Sequence, residues 1–291
     1  MARIAYKDPK NLRPETSQLL SEIITVVEDY HSQGFKLTLR QLYYQLVSAD
    51  IIPNQQKMYA KLSKILSDAR MCGQVDWCII EDRVRVPKMH SQWDDIPDLV
   101  DSAIHSYRKD RHYNQENYVE VWVEKDALSG VLAPITDEYH VHLMVNRGYS
   151  SVSAMHDAAL RFRAAYKQDK ECTILYLGDH DPSGLDMIRD IDDRLTGFNA
   201  DITVRAIALT EKQIEKYNPP PNPAKITDPR AHDYIAQYGK TSWELDALRP
   251  NVLHKLLRTN LESLIDMERY NEIVAQENQE KERLVELAEA I

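Results

Sequence analysis

The chain is poor in residues that staple or loosen structure. Eight glycines and three cysteines among 291 residues exclude a collagen-like polymer and a disulfide scaffold. Cys72, Cys78 and Cys172 have no metal-ligand spacing, and so few thiols fit a reducing, cytoplasmic location. No run approaches the roughly 18 apolar residues of a membrane-crossing helix, so no membrane partner is expected. Residues 1–14 lack the apolar centre of a signal peptide. No Gly-x-x-x-x-Gly-Lys-(Ser/Thr) string occurs, so no nucleotide-binding P-loop is expected.

Positive charge is also in deficit. With 36 Lys and Arg against 46 Asp and Glu, the net charge is −10, which taken alone argues against a polyanionic partner. Distribution matters more than the sum. Residues 1–90 carry thirteen basic and ten acidic side chains, so the whole acidic excess lies beyond them. Within that first third, Leu19, Leu20, Ile23, Ile24, Val26 and Val27 form a helical stripe over 16–33 that Gly34 stops. Thr38 can cap a second helix over Leu39–Ala49. After a turn at 51–54, a third helix is expected over about 55–71, ended by Gly73. Tyr59, Leu62, Ile65, Leu66 and Ala69 share one of its faces; Lys57, Lys61 and Lys64 share another. Residues 77–80 and 84–86 read as two short strands. Three helices and a small hairpin make a winged-helix pattern, with the third helix as major-groove reader. A lysine face is usually just solvated. Here residues 36–70 hold six basic side chains against two acidic ones, so contact of Lys57, Lys61 and Lys64 with double-stranded DNA is the expectation.

The most informative stretches are Val121–Leu128 and Leu175–Gly184. Each reads as a buried strand ending in acid: Glu124 in the first, Asp179 and Asp181 in the second. Strands at 119–124, 141–145, 173–178 and 202–208 alternate with helices at 126–139, 150–167 and 184–195, which predicts an α/β unit with a parallel sheet. Sites in such folds form at the carboxyl ends of strands. Three carboxylates delivered there suit Mg²⁺, and carboxylate-held Mg²⁺ points to phosphate chemistry. Among the neighbours, Asp126 reads as a helix cap and Lys125 as an exposed lysine. His180 is expected to point away from the acids, and Asp186 and Asp190 to be solvated. Residues 147–153 form a Gly/Ser turn into a helix N-terminus that can hold a phosphate. Residues 91–118 read as a linker with one short helix near 96–107, and 218–223 as a stiff extended break. The charged tail has Leu284, Val285, Leu287, Ala288 and Ile291 available to pack internally or on a second chain.

Several of these strings carry a resemblance. Glu124-Lys125-Asp126-Ala127-Leu128, together with the stretch from Asp179 to Gly184, resembles the Toprim domain of the topoisomerase VI A subunit and its meiotic double-strand-break relatives. Arg40-Gln41-Leu42-Tyr43-Tyr44 resembles that family's Arg-x-(Ile/Leu)-(Phe/Tyr)-Tyr motif, whose last tyrosine is the nucleophile. Trp243–Leu248 resembles the string that follows the family's Toprim domain. The resemblance runs in order over roughly residues 35–260. It implies a winged-helix domain over 1–90, a linker over 91–118, a Toprim domain with its extension over 119–250, and C-terminal helices over 251–291. It further implies Mg²⁺-dependent DNA cleavage, in which Tyr44 attacks a phosphodiester and becomes linked to the 5′-phosphate. Arg40 would support Tyr44, Glu124 would serve as general acid/base or ligand, and Asp179 and Asp181 would hold the metal. The family's tyrosine works with the metal site of another subunit, so a homodimer is implied, and ATP-driven strand passage would need a separate ATPase subunit.

Independently of the resemblance, Arg40 and Tyr44 lie one helical turn apart. There a guanidinium can stabilise a phenolate whose pKa is otherwise near ~10, and can hold a phosphate. That reading puts Tyr44 at an exposed groove and Tyr43 in the core beside Leu39, Leu42 and Leu46. Two alternatives stay open: a nuclease using metal-activated water with Tyr44 structural, and a non-catalytic DNA-binding protein.

Overall fold

The computed structural model of the chain describes residues 5–9, 11–80, 90–146, 148–224, 228 and 230–289. Three helices open it: α1 (Pro14–Ser32), α2 (Leu39–Ser48) and α3 (Gln56–Met71). They bury Ile23, Leu37, Leu42, Leu46 and Leu62 against one another, as the apolar stripes require. A capping box sets the start of α2: the Thr38 hydroxyl accepts from Gln41 N at 3.3 Å, and Gln41 Oε1 accepts from Thr38 N at 2.8 Å. Gly34 and Gly73 take left-handed backbone just past α1 and α3.

The expected strand at 77–80 is not formed. Residues 77–79 turn, and Ile80 makes a single parallel bridge to Leu37. The local backbone groups are used otherwise. Asp76 accepts from Cys78 N at 2.9 Å, and Arg70, stacked on Trp77, donates to the carbonyls of Trp77 and Ile80. The companion strand at 84–86 lies outside the described residues. The next helix is α4 (Ile96–Ser106), which buries none of its residues.

A four-stranded, all-parallel sheet follows, built from β1 (Asn117–Val123), β2 (His142–Val145), β3 (Glu171–Leu177) and β4 (Thr203–Ala208). The strand order is β2-β1-β3-β4. With α5 (Ser129–Glu138), α6 (Val152–Tyr166) and α7 (Pro182–Gly197) it forms the expected α/β unit. The central strands β1 and β3 are buried on both faces, which is why they read as near-continuous apolar runs. Val121, Val123, Leu175 and Leu177 pack on the α5 side, whereas Trp122, Ile174 and Tyr176 pack against α6 and α7. The chain therefore leaves β1 toward one face and β3 toward the other. That divergence opens a crevice at their carboxyl ends.

Glu120, in the middle of β1, is fully buried. Its carboxylate accepts two bonds from Arg161 at 2.7 and 2.9 Å and one each from Tyr118 and Trp122. A buried carboxylate persists when every acceptor site is met in this way.

Beyond the sheet come α8 (Glu211–Tyr217), β5 (Pro221–Pro223), α9 (Ala231–Tyr238) and β6 (Thr241–Trp243). The expected stiff break is thus partly a strand, paired antiparallel with β6. A short 3₁₀ turn at Leu245–Ala247 leads to α10 (Pro250–Glu262) and α11 (Met267–Glu289). Helix α10 covers the α5 face of the sheet. Fully buried Glu277 fastens α11 to Arg111 and also pairs with Lys281 one turn along the same helix. Among the described residues no helix is long and apolar enough to cross a membrane.

Candidate active site

The crevice between β1 and β3 gathers the acids. Glu124 follows β1 directly, and its N–H donates to Leu177 O at 2.9 Å, extending the sheet pairing by one bond. Its Oε2 accepts from Asp179 N at 3.0 Å. Asp179 lies two residues past β3, buried, with Oδ1 accepting from Leu245 N at 2.8 Å. Asp181 caps α7 through Gly184 N at 2.7 Å, with Pro182 at the first helical position. Two glycines make this turn possible. A Cβ at Gly178 would lie 2.5 Å from the Tyr176 hydroxyl, and one at Gly184 would lie 2.2 Å from the Asp179 carbonyl oxygen.

Burial dominates the titration of these acids. It raises the Asp179 carboxyl to about 8 against the pull of Lys125, and Glu124 adds to the rise. Glu124 is likewise raised by burial, partly offset by the Asp179 N–H and Lys125.

Lys125 is not the exposed lysine expected. Only 14% of its side chain is accessible, and its ammonium lies 2.8 Å from Asp179 and 3.0 Å from Asp246, and also bonds Glu244. Burial opposes its charge, but Asp246, Asp179 and Glu244 together raise its pKa. The same two acids reach on to α2. Arg40 Nη2 lies 2.6 Å from Glu244, and Arg40 Nε lies 3.0 Å from Asp246. Burial raises Glu244, yet Lys125 and Arg40 prevail and hold it down to about 2. A continuous relay of ion pairs therefore joins Arg40, Glu244 with Asp246, Lys125 and Asp179.

Tyr44 belongs to this neighbourhood but is not exposed as expected. Its ring is 8% accessible, packed edge-on to Tyr43, with the Arg40 guanidinium 5.6 Å from its centroid. Burial, then Glu244, push its phenol well above the ordinary 10; Arg40 pulls it down and does not prevail. The expected net stabilisation of phenolate is therefore not realised, because burial outweighs the pull of Arg40 and Glu244 opposes it. The Tyr44 hydroxyl makes no hydrogen bond among the described residues. Tyr43 fills the core as expected, its hydroxyl bonded to Asn54 and the Gln55 carbonyl.

Lys57, Lys61 and Lys64 are exposed on α3, and no ion pair holds them among the described residues. Three assignments around the carboxylates change. Asp126 opens a 3₁₀ turn over Asp126–Leu128 rather than capping it; Lys125 is at the cap position. Asp186 pairs with Arg189 and Arg230 and accepts from Tyr149. Asp190 pairs with Arg194. Neither acid is simply solvated. His180 does point away from the acids, buried between Tyr234, Tyr238 and Trp243. Of the Gly/Ser turn, Arg147 lies outside the described residues. Ser151 caps α6 through Ala154 N, and Ser150 is buried against Asn146.

Among the described residues no group of three or more His, Cys, Asp or Glu side chains is gathered so as to hold a metal ion. The donors nevertheless fit a hard cation in kind: all are oxygens, and the Lys125 ammonium stands among them as a cation of the protein's own. Lys125, Glu244 and Asp246 are the residues sequence reasoning undervalued. The adjacency of Lys125 to Glu124 and the acids in Trp243–Leu248 were the available signals. Compared with models of known protein families and with curated proteins, the chain matches none.

Proposed function

We propose that the chain cuts double-stranded DNA by phosphoryl transfer to Tyr44 at a Toprim-type carboxylate site. In this reading the N-terminal helices act as a winged-helix unit and Lys57, Lys61 and Lys64 lie along the phosphate backbone. One observation carries it: Arg40, a turn from Tyr44, and Asp179, at the sheet crevice, are joined through Glu244, Asp246 and Lys125 within one chain. Residues about 200 positions apart in sequence converge where a tyrosine and a carboxylate set would share a substrate.

The Tyr44 oxygen would bond to phosphorus while the bond to the 3′ oxygen breaks, leaving a 5′-phosphotyrosine and a 3′ hydroxyl. The phenol proton must leave, and the departing oxygen must gain one. Glu124 suits both duties, because burial brings its carboxyl closer to neutrality than a solvated acid. Arg40 would turn from its acids to the phosphate. Glu124, Asp179 and Asp181 would hold Mg²⁺, which when bound supplies charge stabilisation at the phosphoryl oxygens. The chain would act as a homodimer with one such site in each copy, and any ATP-driven cycle would use a separate ATPase subunit.

Hydrolysis by water is the second reading, favoured by the buried ring and raised phenol of Tyr44. Denaturing the protein on end-labelled DNA with Mg²⁺ separates the two. Labelled protein in wild type, absent in Tyr44→Phe with DNA binding retained, supports transfer to tyrosine. Cleaved DNA without labelled protein, unchanged in Tyr44→Phe, supports hydrolysis.

A further inference from the structure

We propose that Lys125 is the resident counter-ion of the carboxylate crevice, and that a divalent cation enters by displacing its ammonium from Asp179 while Glu244 and Asp246 retain it. This rests on the metal-dependent reading above and adds a residue and an exchange to it.

Charge count and geometry carry the inference. Five acids face the crevice and its border: Glu124, Asp179, Asp181, Glu244 and Asp246. Among the described residues two cations, Lys125 and Arg40, stand against them. An entering cation would favour their ionised forms, in which three negative charges are left over. The ammonium is single-valent and reaches only one of the three metal-ligand candidates, Asp179, at 2.8 Å. Glu124 and Asp181 are held by backbone N–H groups instead. A divalent ion contacting Glu124, Asp179 and Asp181 neutralises more of the excess than Lys125 can. It cannot share Asp179 Oδ1, where the ammonium sits, because like charges at contact repel.

Lys125 need not leave the protein, since Asp246 lies 3.0 Å from it and Glu244 also bonds it. A second feature points into the same space. The Tyr176 hydroxyl belongs to a residue 1% accessible and makes no well-formed hydrogen bond among the described residues; burial first, then Glu124, Asp179 and Asp181, raise its phenol. A buried hydroxyl beside these carboxylates leaves a bonding capacity that a further ligand can meet.

The test is direct binding of Mn²⁺, followed by the disappearance of its free spectroscopic signal, for the full chain and three variants. Lys125→Gln should bind Mn²⁺ at least about tenfold more tightly than wild type, because the competitor is gone. Lys125→Arg keeps the charge and should remain within about threefold of wild type. Asp179→Asn should abolish the site. Binding that depends on Asp179 but is equal or weaker in Lys125→Gln overturns the exchange and leaves the metal site standing. No Asp179-dependent binding in any protein overturns the metal site, and the exchange falls with it.

Should Lys125→Gln fail to fold, amine labelling of wild type reads the same event. Giving up one of three carboxylate partners weakens the hold on the amine, so modification of Lys125 should rise about threefold or more with Mn²⁺ in wild type. It should not respond to Mn²⁺ in Asp179→Asn. An unchanged rate in Mn²⁺-loaded wild type overturns the proposal.

Discussion

The two halves of the candidate site are held by different physics. On the sheet side, backbone positions the acids: strand ends place Glu124 and Asp179, a helix cap fixes Asp181, and two glycines let the turn close. On the tyrosine side, side-chain ion pairs do the positioning, through Arg40, Glu244, Asp246 and Lys125. Backbone placement is local and rigid. Ion-pair placement is long-range and can exchange partners. A site that held a metal and admitted a polymer, as proposed, would have use for one rigid wall and one exchangeable one.

The largest effect that would break this contrast is expected at Asp246, whose side chain is inaccessible and touches both cations. Asp246→Asn should destabilise the chain by about 3 kcal/mol, since it sets an amide against two cations that shared one inaccessible carboxylate. Urea denaturation measures this, and a change below about 1 kcal/mol would show the ion pairs to be incidental. Gly184→Ala probes the rigid wall. Its Cβ would lie 2.2 Å from a backbone oxygen, so a destabilisation of about 1–3 kcal/mol is expected, with Asp181 displaced from its cap.

The walls should also respond oppositely to pH in chelator-treated buffer. Glu244 is held at about 2, below its ordinary 4.5. Its contribution is therefore full above about 4.5 and is lost as pH falls toward 2. Asp179 is raised to about 8 from 3.8. Its contribution is full below about 3.8 and is lost as pH rises toward 8. Unfolding across that range should show a flatter acid limb in Glu244→Gln and a flatter neutral slope in Asp179→Asn. The smallest effect on stability belongs to Lys57, Lys61 and Lys64, exposed and without an ion pair among the described residues. Their joint change to Gln should move stability by less than about 0.5 kcal/mol each. In a DNA-binding titration it should lower the magnitude of the log–log salt slope by about one for each phosphate that a lysine no longer neutralises.

The rigid wall is legible in the sequence because its signals are local. Apolar runs ending in Glu124 and Asp179, and the Asp181-Pro182-Ser183-Gly184 string, specify strand, turn and cap within a few residues. The helices over 14–71 are legible from their stripes and from Thr38. The strand expected at 77–80 fails because Asp76 and Arg70 claim the backbone groups a ladder would use. The exchangeable wall is hidden for a different reason. Nothing in Arg40 alone says that its partners lie about 200 residues away, and a lysine beside a strand-end acid is exposed in most proteins. The exposure expected of Tyr44 fails for the same cause: its helix is covered by the turn at Leu245–Ala247, as the packing of Ala247 into the N-terminal core shows.

The backbone bridge between His180 and Trp243 limits how this molecule can move. Two bonds, 2.9 and 3.0 Å, stitch the turn carrying Asp179 and Asp181 to β6, and β6 is paired in turn with β5. Mechanically these pieces form a single plate, with Glu244 and Asp246 projecting from its rim. A plate so cross-braced transmits displacement rather than absorbing it. If α2 swings relative to the sheet, the yielding elements are side-chain contacts, those at Arg40 and the packing of Ala247, which can break and reform without bending any strand.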